Sequence, residues 1–93
     1  MALQRIQHSE HIHLTVDIDV LAESIAPGTG SPAPVGVPLA TIRAVCHALA
    51  ATGKLKLVDV VEVNPDLDIN NRTARVAARL IHEIAEKHLE TVA

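Results

Sequence analysis

Between residues 12 and 20 apolar and polar side chains alternate: Ile12, Leu14, Val16, Ile18 and Val20 fall on one side, His13, Thr15, Asp17 and Asp19 on the other. A period of two marks a strand with one buried face. The pattern predicts a strand that ends with the Asp17 and Asp19 carboxylates pointing the same way. The chain then runs to Pro38 through a Gly/Pro-rich loop too long to be a mere connector, and such loops inside compact domains are usually functional. Leu39, Ile42, Val45, Cys46, Leu49 and Ala50 recur at steps of three and four, the stripe of an amphipathic helix. With Pro38 suited to its first turn and Gly53 just past its end, that helix is expected over about 38–52. The run Leu55-Lys-Leu-Val-Asp-Val-Val-Glu-Val63 is β-branched and mostly apolar, as for a parallel strand covered on both faces, and Asn64-Pro65 stops it. Short polar side chains over residues 66–71 are helix caps. Beyond them Val76, Ala77, Leu80, Ile81, Ile84, Ala85 and His88 make a second helical stripe, expected from about Asn71 to the early nineties. Its outer face, with Arg75, Arg79, Glu83, Glu86, Lys87 and Glu90, reads as solvated, with Glu83 and Lys87 spaced for mutual support. Residues 1–10 read as the tail of a helix or a frayed terminus.

Strand, loop, helix, strand, helix is the order of a layered α/β sheet with a right-handed crossover. Ligands of such sheets gather beyond the carboxyl ends of the strands. Asp17, Asp19 and Glu62 all lie at such ends and converge on one crevice if the strands are neighbours. Glu62 is then either a charge leaving the sheet rim or a carboxylate aimed into a site.

Composition narrows the chemistry. A chain of 93 residues is one domain at most, and with 48% hydrophobic residues but no Phe, Tyr or Trp its core must be Val, Ile, Leu and Ala. A net charge of -3 from scattered residues leaves no footprint for nucleic acid or an anionic membrane. With no leader-like start and no membrane-length apolar run, the expectation is a soluble cytoplasmic protein. Cys46, the single cysteine, supports no internal disulfide and reads as a small buried hydrophobe. His8, His11 and His13 read as surface or strand residues, since His13 lies roughly 13 Å of strand from Asp17, too far to share an ion with the aspartates. His47, His82 and His88 are given no role. Two aspartates at i and i+2 can give oxygen ligands to a divalent cation, although Asp also favours strand-end turns for local hydrogen-bonding reasons. Pro27-Gly-Thr-Gly30 is a weak phosphate-loop signal, because no helix starts directly after it.

Three separated motifs, Thr15-Val-Asp-Ile-Asp-Val-Leu, Ala26-Pro-Gly-Thr-Gly-Ser-Pro and Asp59-Val-Val-Glu-Val-Asn-Pro65, occur in the order and spacing of the arginase/agmatinase/formimidoylglutamase (ureohydrolase) family, and the chain resembles the carboxyl-terminal segment of that family. Gly36-Val-Pro-Leu39 and the run Asn71 to Leu80 look most like formimidoylglutamases of histidine degradation. The resemblance implies a β-α-β-α portion of a three-layer α/β/α parallel-sheet fold, with residues 1–93 a single fragment and the amino-terminal part of the family domain absent. It implies a hydrolase that splits N-formimino-L-glutamate with water into L-glutamate and formamide, using two manganese ions; arginase or agmatinase chemistry is the nearest alternative. By motif, Asp17 and Asp19 match metal-binding aspartates, and Glu62 matches the acid that receives the cationic end of a small formimino or guanidino substrate. The Gly-Gly-Asp-His and Asp-Ala-His-x-Asp motifs, which carry the family's histidine ligands, are absent from these residues. The family's usual Asp-Pro is Ala22-Glu23 here, and Val35 stands where many formimidoylglutamases have Arg. The expectation is therefore a chain inactive by itself that associates with its own copies. A non-catalytic, oligomerising α/β module is the rival reading.

Overall fold

The computed structural model describes residues 7–93, so the reading of the amino-terminal ten falls mostly outside them. The described chain forms β1 (Ile12–Asp17), α1 (Leu39–Ala50), β2 (Leu55–Val61) and α2 (Arg72–Val92), with 3-10 turns at Ile18–Val20 and Pro65–Leu67. β1 and β2 pair in parallel, as the crossover order predicts. An irregularity after Ile12 skips Lys56, and from there Leu14 pairs with Val58, Val16 with Val60 and Asp17 with Val61. Skipping one residue exchanges the faces of the rest of β2. As a result Leu55, Val58 and Val60 join Ile12, Leu14 and Val16 on one face, while Leu57, Asp59 and Val61 join His13, Thr15 and Asp17 on the other.

The first face makes the core. Ile12, Val16 and Leu55 of the sheet are buried with Ile18, Leu21 and Ala26 of the following turn and loop, Cys46 and Ala50 of α1, and Ala77, Leu80 and Ile84 of α2. Cys46 is thus the buried hydrophobe its stripe predicts. The helices also pack on each other. Glu83 is not the solvated partner of Lys87 expected from spacing. It takes both arms of the Arg43 guanidinium from α1 at 3.0 and 2.7 Å, plus Arg79 at 3.0 Å. The planar fork of Arg43 matches a carboxylate better than a lysine does, and Lys87 instead lies 3.8 Å from Glu90.

The second face is open, which corrects the expectation that β2 is covered on both sides. His13, Thr15, Asp17 and Leu57 are exposed, Leu57 to 55%. Across this face the His13 imidazole Nε2 lies 3.1 Å from Asp59 Oδ2 and 3.3 Å from Thr15 Oγ1, a polar tie between the strands. The hydrogen bonds from His13 and Thr15 hold the Asp59 carboxyl below its ordinary range.

α2 begins with its donors satisfied from a distance. Asn70 and Asn71 are both left-handed, with φ of 53° and 58°, a conformation Asn tolerates. The turn they make brings Asp68 back over the helix start, where its carboxylate accepts the N–H groups of Thr73 at 3.0 Å and Ala74 at 3.1 Å. Burial pushes the Asp68 carboxyl up, but these bonds, the Thr73 hydroxyl and the Ile69 N–H outweigh it and bring the pKa down to about 2.

Candidate functional site

β1 stops at Asp17 rather than Val20, and the reason is Asp17 itself. Its side chain accepts the N–H of Asp19 at 2.9 Å, closing a turn that the short carboxylate makes in competition with the strand ladder. The 3-10 turn buries Ile18 and Leu21 completely and leaves Asp17 exposed and Asp19 half-buried. The two aspartates are therefore joined by a turn, not by the strand period. Burial, and then the neighbouring Asp17 charge, hold the Asp19 carboxyl above its ordinary range. Oδ1 of each carboxylate is taken by an internal donor, the Asp19 N–H for Asp17 and the Thr29 hydroxyl for Asp19. Among the described residues no other internal hydrogen bond falls on either carboxylate.

The long loop is built into this end of the sheet. It folds back on residues 20–23, with Val37 N–H on the Val20 carbonyl at 2.8 Å and Glu23 N–H on that of Ala33 at 2.7 Å. A side chain at Gly36 would meet backbone there, 2.4 Å from Ala22 N. Deeper in the loop, Gly28 N–H donates to Thr73 Oγ1 at 2.7 Å, and the Gly28 carbonyl accepts Asn64 N–H at 2.7 Å. Gly28 lies so close to Asp68 that an added Cβ would sit 2.7 Å from its Cγ. Thr29 follows, only 1% exposed. Sequence reasoning flags the loop but misses Thr29, Thr73 and Asn64 as its anchors. The available signal is a hydroxyl between two glycines with no phosphate-loop helix after it.

Glu62 comes directly after Val61, the partner of Asp17, so all three acids belong to the same end of the sheet. It is exposed and has a φ of 76°, left-handed and unusual for a residue with a side chain. The chain then turns at Asn64, whose side chain accepts Asp66 N–H at 3.1 Å. Among the described residues no histidine joins the acids: His13 is committed to the strand tie, and His82 pairs with Glu86 at 3.1 Å. A hollow of about 430 Å³ between the helices, lined by Arg43, His47, Glu83 and Glu86, includes none of the three acids.

As a donor set, Asp17 and Asp19 offer hard oxygens, each oriented through Oδ1, and carry mutual repulsion that a cation would relieve. They fit two positions of a divalent-ion shell. Among the described residues no group of three or more His, Cys, Asp or Glu side chains is placed to complete it.

Comparison with known proteins extends the picture. A model of the arginase family matches residues 1–86. The formimidoylglutamase of Corynebacterium efficiens is 74% identical over 89 residues, covering 96% of this chain and 28% of that protein, so the chain spans little more than a quarter of this relative's length. The fold is similar to formimidoylglutamase from Bacillus subtilis at a TM-score of 0.85 and 25% identity, covering 97% of this chain and 30% of that one. It is also similar to Trypanosoma cruzi formiminoglutamase solved with Mn2+, at a TM-score of 0.79 and 25% identity, covering 92% and 30%. With Asp17, Asp19 and Glu62 at one end of its parallel strand pair and residues 1–86 matched by the family model, the chain belongs to the arginase family.

Proposed function

We propose that this chain supplies the acid-bearing end of a manganese-dependent formimidoylglutamase site, in which Asp17 and Asp19 are metal ligands and Glu62 receives the cationic formimino end of N-formimino-L-glutamate. The observation that carries the reading is the register, which sets Glu62 one residue beyond the partner of Asp17. The 74% identity to a formimidoylglutamase favours this substrate over arginine or agmatine. Manganese, when bound, supplies an activated water at neutral pH. Asp17 and Asp19 would each hold it through the carboxylate oxygen not used internally. Glu62 would accept charge-assisted hydrogen bonds from the substrate N–H groups and fix the electrophilic carbon.

In this reading residues 1–93 are one unit of a larger arginase-like domain, and the remaining ligands come from outside it. The isolated chain is expected to hydrolyse neither formiminoglutamate nor arginine with added manganese. It is also expected to self-associate, through the edges of β1 and β2 that are unpaired among the described residues or through the apolar faces of the helices; a monodisperse monomer in light scattering at micromolar concentration would contradict this. The decisive test grafts the chain into the matching segment of the Corynebacterium efficiens enzyme. The chimera should hydrolyse formiminoglutamate, Asp17→Ala and Asp19→Ala should lower its manganese content, and Glu62→Ala should keep the metal and lose turnover. Unchanged metal content in both aspartate variants would sink the assignment.

A further inference from the structure

We propose that Thr29 is the positioning residue for Asp19, its buried hydroxyl holding one carboxylate oxygen so that the other is presented to the ion; the use of this tether rests on the metal reading above. Burial sets the first constraint. At 1% exposure the Thr29 hydroxyl must find partners inside the protein, and it uses both of its capacities: it donates to Asp19 Oδ1 and accepts the N–H of Ser31 at 3.0 Å. A valine has nearly the same shape but could make neither bond, and would leave the Ser31 N–H without this partner.

Thr29 is itself held rigidly. Its N–H donates to the Pro27 carbonyl at 2.9 Å, and the preceding Gly28 is gripped from two sides, by Thr73 of α2 and by Asn64 at the exit of β2. Asp68 closes the space a side chain at position 28 would need. The restraint on Asp19 thus runs from the first turn of α2, through Gly28, to the Thr29 hydroxyl. Asp19 needs it, because a half-buried carboxylate on a single 3-10 turn would otherwise move among staggered rotamers. Asp17 needs no such help, since the Asp19 N–H already fixes it. Hydrogen bonds behind a metal-ligating carboxylate typically change metal affinity by about 10–100-fold. The long loop is thereby the carrier that brings one hydroxyl to one carboxylate.

The test compares the wild-type chain with Thr29→Val and Thr29→Ser by nuclear magnetic resonance. Without metal, side-chain couplings should report one Asp19 χ1 rotamer in wild type, averaging in Thr29→Val, and recovery in Thr29→Ser. Wild type should also show a slowly exchanging Thr29 hydroxyl proton that is lost in Asp19→Ala, which keeps the proposal testable should Thr29→Val fail to fold. In the chimera described above, titrated with manganese chloride, half-occupancy should need an ion concentration about 10-fold higher with Thr29→Val than without it or with Thr29→Ser. A wild-type Asp19 rotamer in a folded Thr29→Val, or a fast-exchanging hydroxyl in wild type, overturns the tether. A manganese midpoint in the Thr29→Val chimera equal to that of the unsubstituted chimera, with the rotamer result as expected, overturns the use assigned to the tether, and manganese content unchanged in both aspartate variants of the chimera overturns the metal reading itself.

Discussion

Replacing Gly36 by alanine should be among the most damaging single-methyl changes in the loop, and Gly30→Ala among the least. At position 36 the new Cβ would lie 2.4 Å from Ala22 N, 2.5 Å from Leu21 C and 2.6 Å from Val20 O, all backbone atoms with no rotamer to adjust. Restoring ordinary contact at 3.4 Å means parting the two segments by about 1 Å. That movement breaks the 2.8 Å bond from Val37 N–H to the Val20 carbonyl. Overpacking of about 1–3 kcal/mol and a lost hydrogen bond of about 1 kcal/mol give a destabilisation of about 2–4 kcal/mol. For a domain of this size each kcal/mol moves Tm by about 4–8 °C, so the melting point should fall by at least about 8 °C. Position 30 has nothing within 4 Å of the added Cβ. There alanine should be neutral or stabilise by up to about 1 kcal/mol, because it restricts the unfolded chain. Thermal melts followed by circular dichroism would decide, at one fixed protein concentration because self-association makes Tm concentration-dependent. Equal Tm values for the two variants would refute the steric reasoning.

Leu80→Ala, at a position only 1% exposed where α2 meets the core, should cost about 2–5 kcal/mol and lower the urea midpoint accordingly. Glu62→Gly should raise that midpoint by the equivalent of about 1 kcal/mol, since glycine adopts the φ of 76° without strain; a lower midpoint would show that the conformation is unstrained. The Asp68 carboxyl, at about 2 in the folded chain against an ordinary 3.8, contributes stability that is present above 3.8 and is lost as the pH falls towards 2. Asp68→Asn should therefore lose less stability than wild type between pH 4 and pH 2 when urea midpoints are compared, and parallel profiles would contradict the capping role.

The helices and β1 are legible because their apolar positions repeat at the period of each element, from Ile12 to Val16 and from Val76 to Ile84, and β2 because its run is β-branched and mostly apolar. The faces of β2 are not. One skipped residue, Lys56, exchanges them, and no local property of Lys56 announces that. Position and motif single out the acids, and the register sets them at one end of the sheet, yet the strand period is the wrong cause for the aspartate pair, since it is Asp17 that ends the strand by accepting the N–H of Asp19. Glu83 was misread for a similar reason: spacing along α2 points to Lys87, while the partner that wins, Arg43, is forty residues away on α1. The loop's anchors were hidden by distance too. Gly28 and Thr73 are separated by 45 residues, and nothing near Gly28 in sequence says that a helix start will lie against it.

The wedging of Gly28 against Asp68 and Thr73 has a kinetic consequence. The surface on which Gly28 docks exists only once the first turn of α2 has wound, and Thr73 follows Gly28 by 45 residues. Docking of this part of the loop, and with it the immobilisation of Asp19, is therefore expected after the main barrier of folding. Contacts made that late slow unfolding without speeding folding. Thr73→Ala should accordingly leave the refolding rate near wild type and accelerate unfolding, so that the lifetime of the ordered acid end is set by a threonine in a helix that carries none of the three acids.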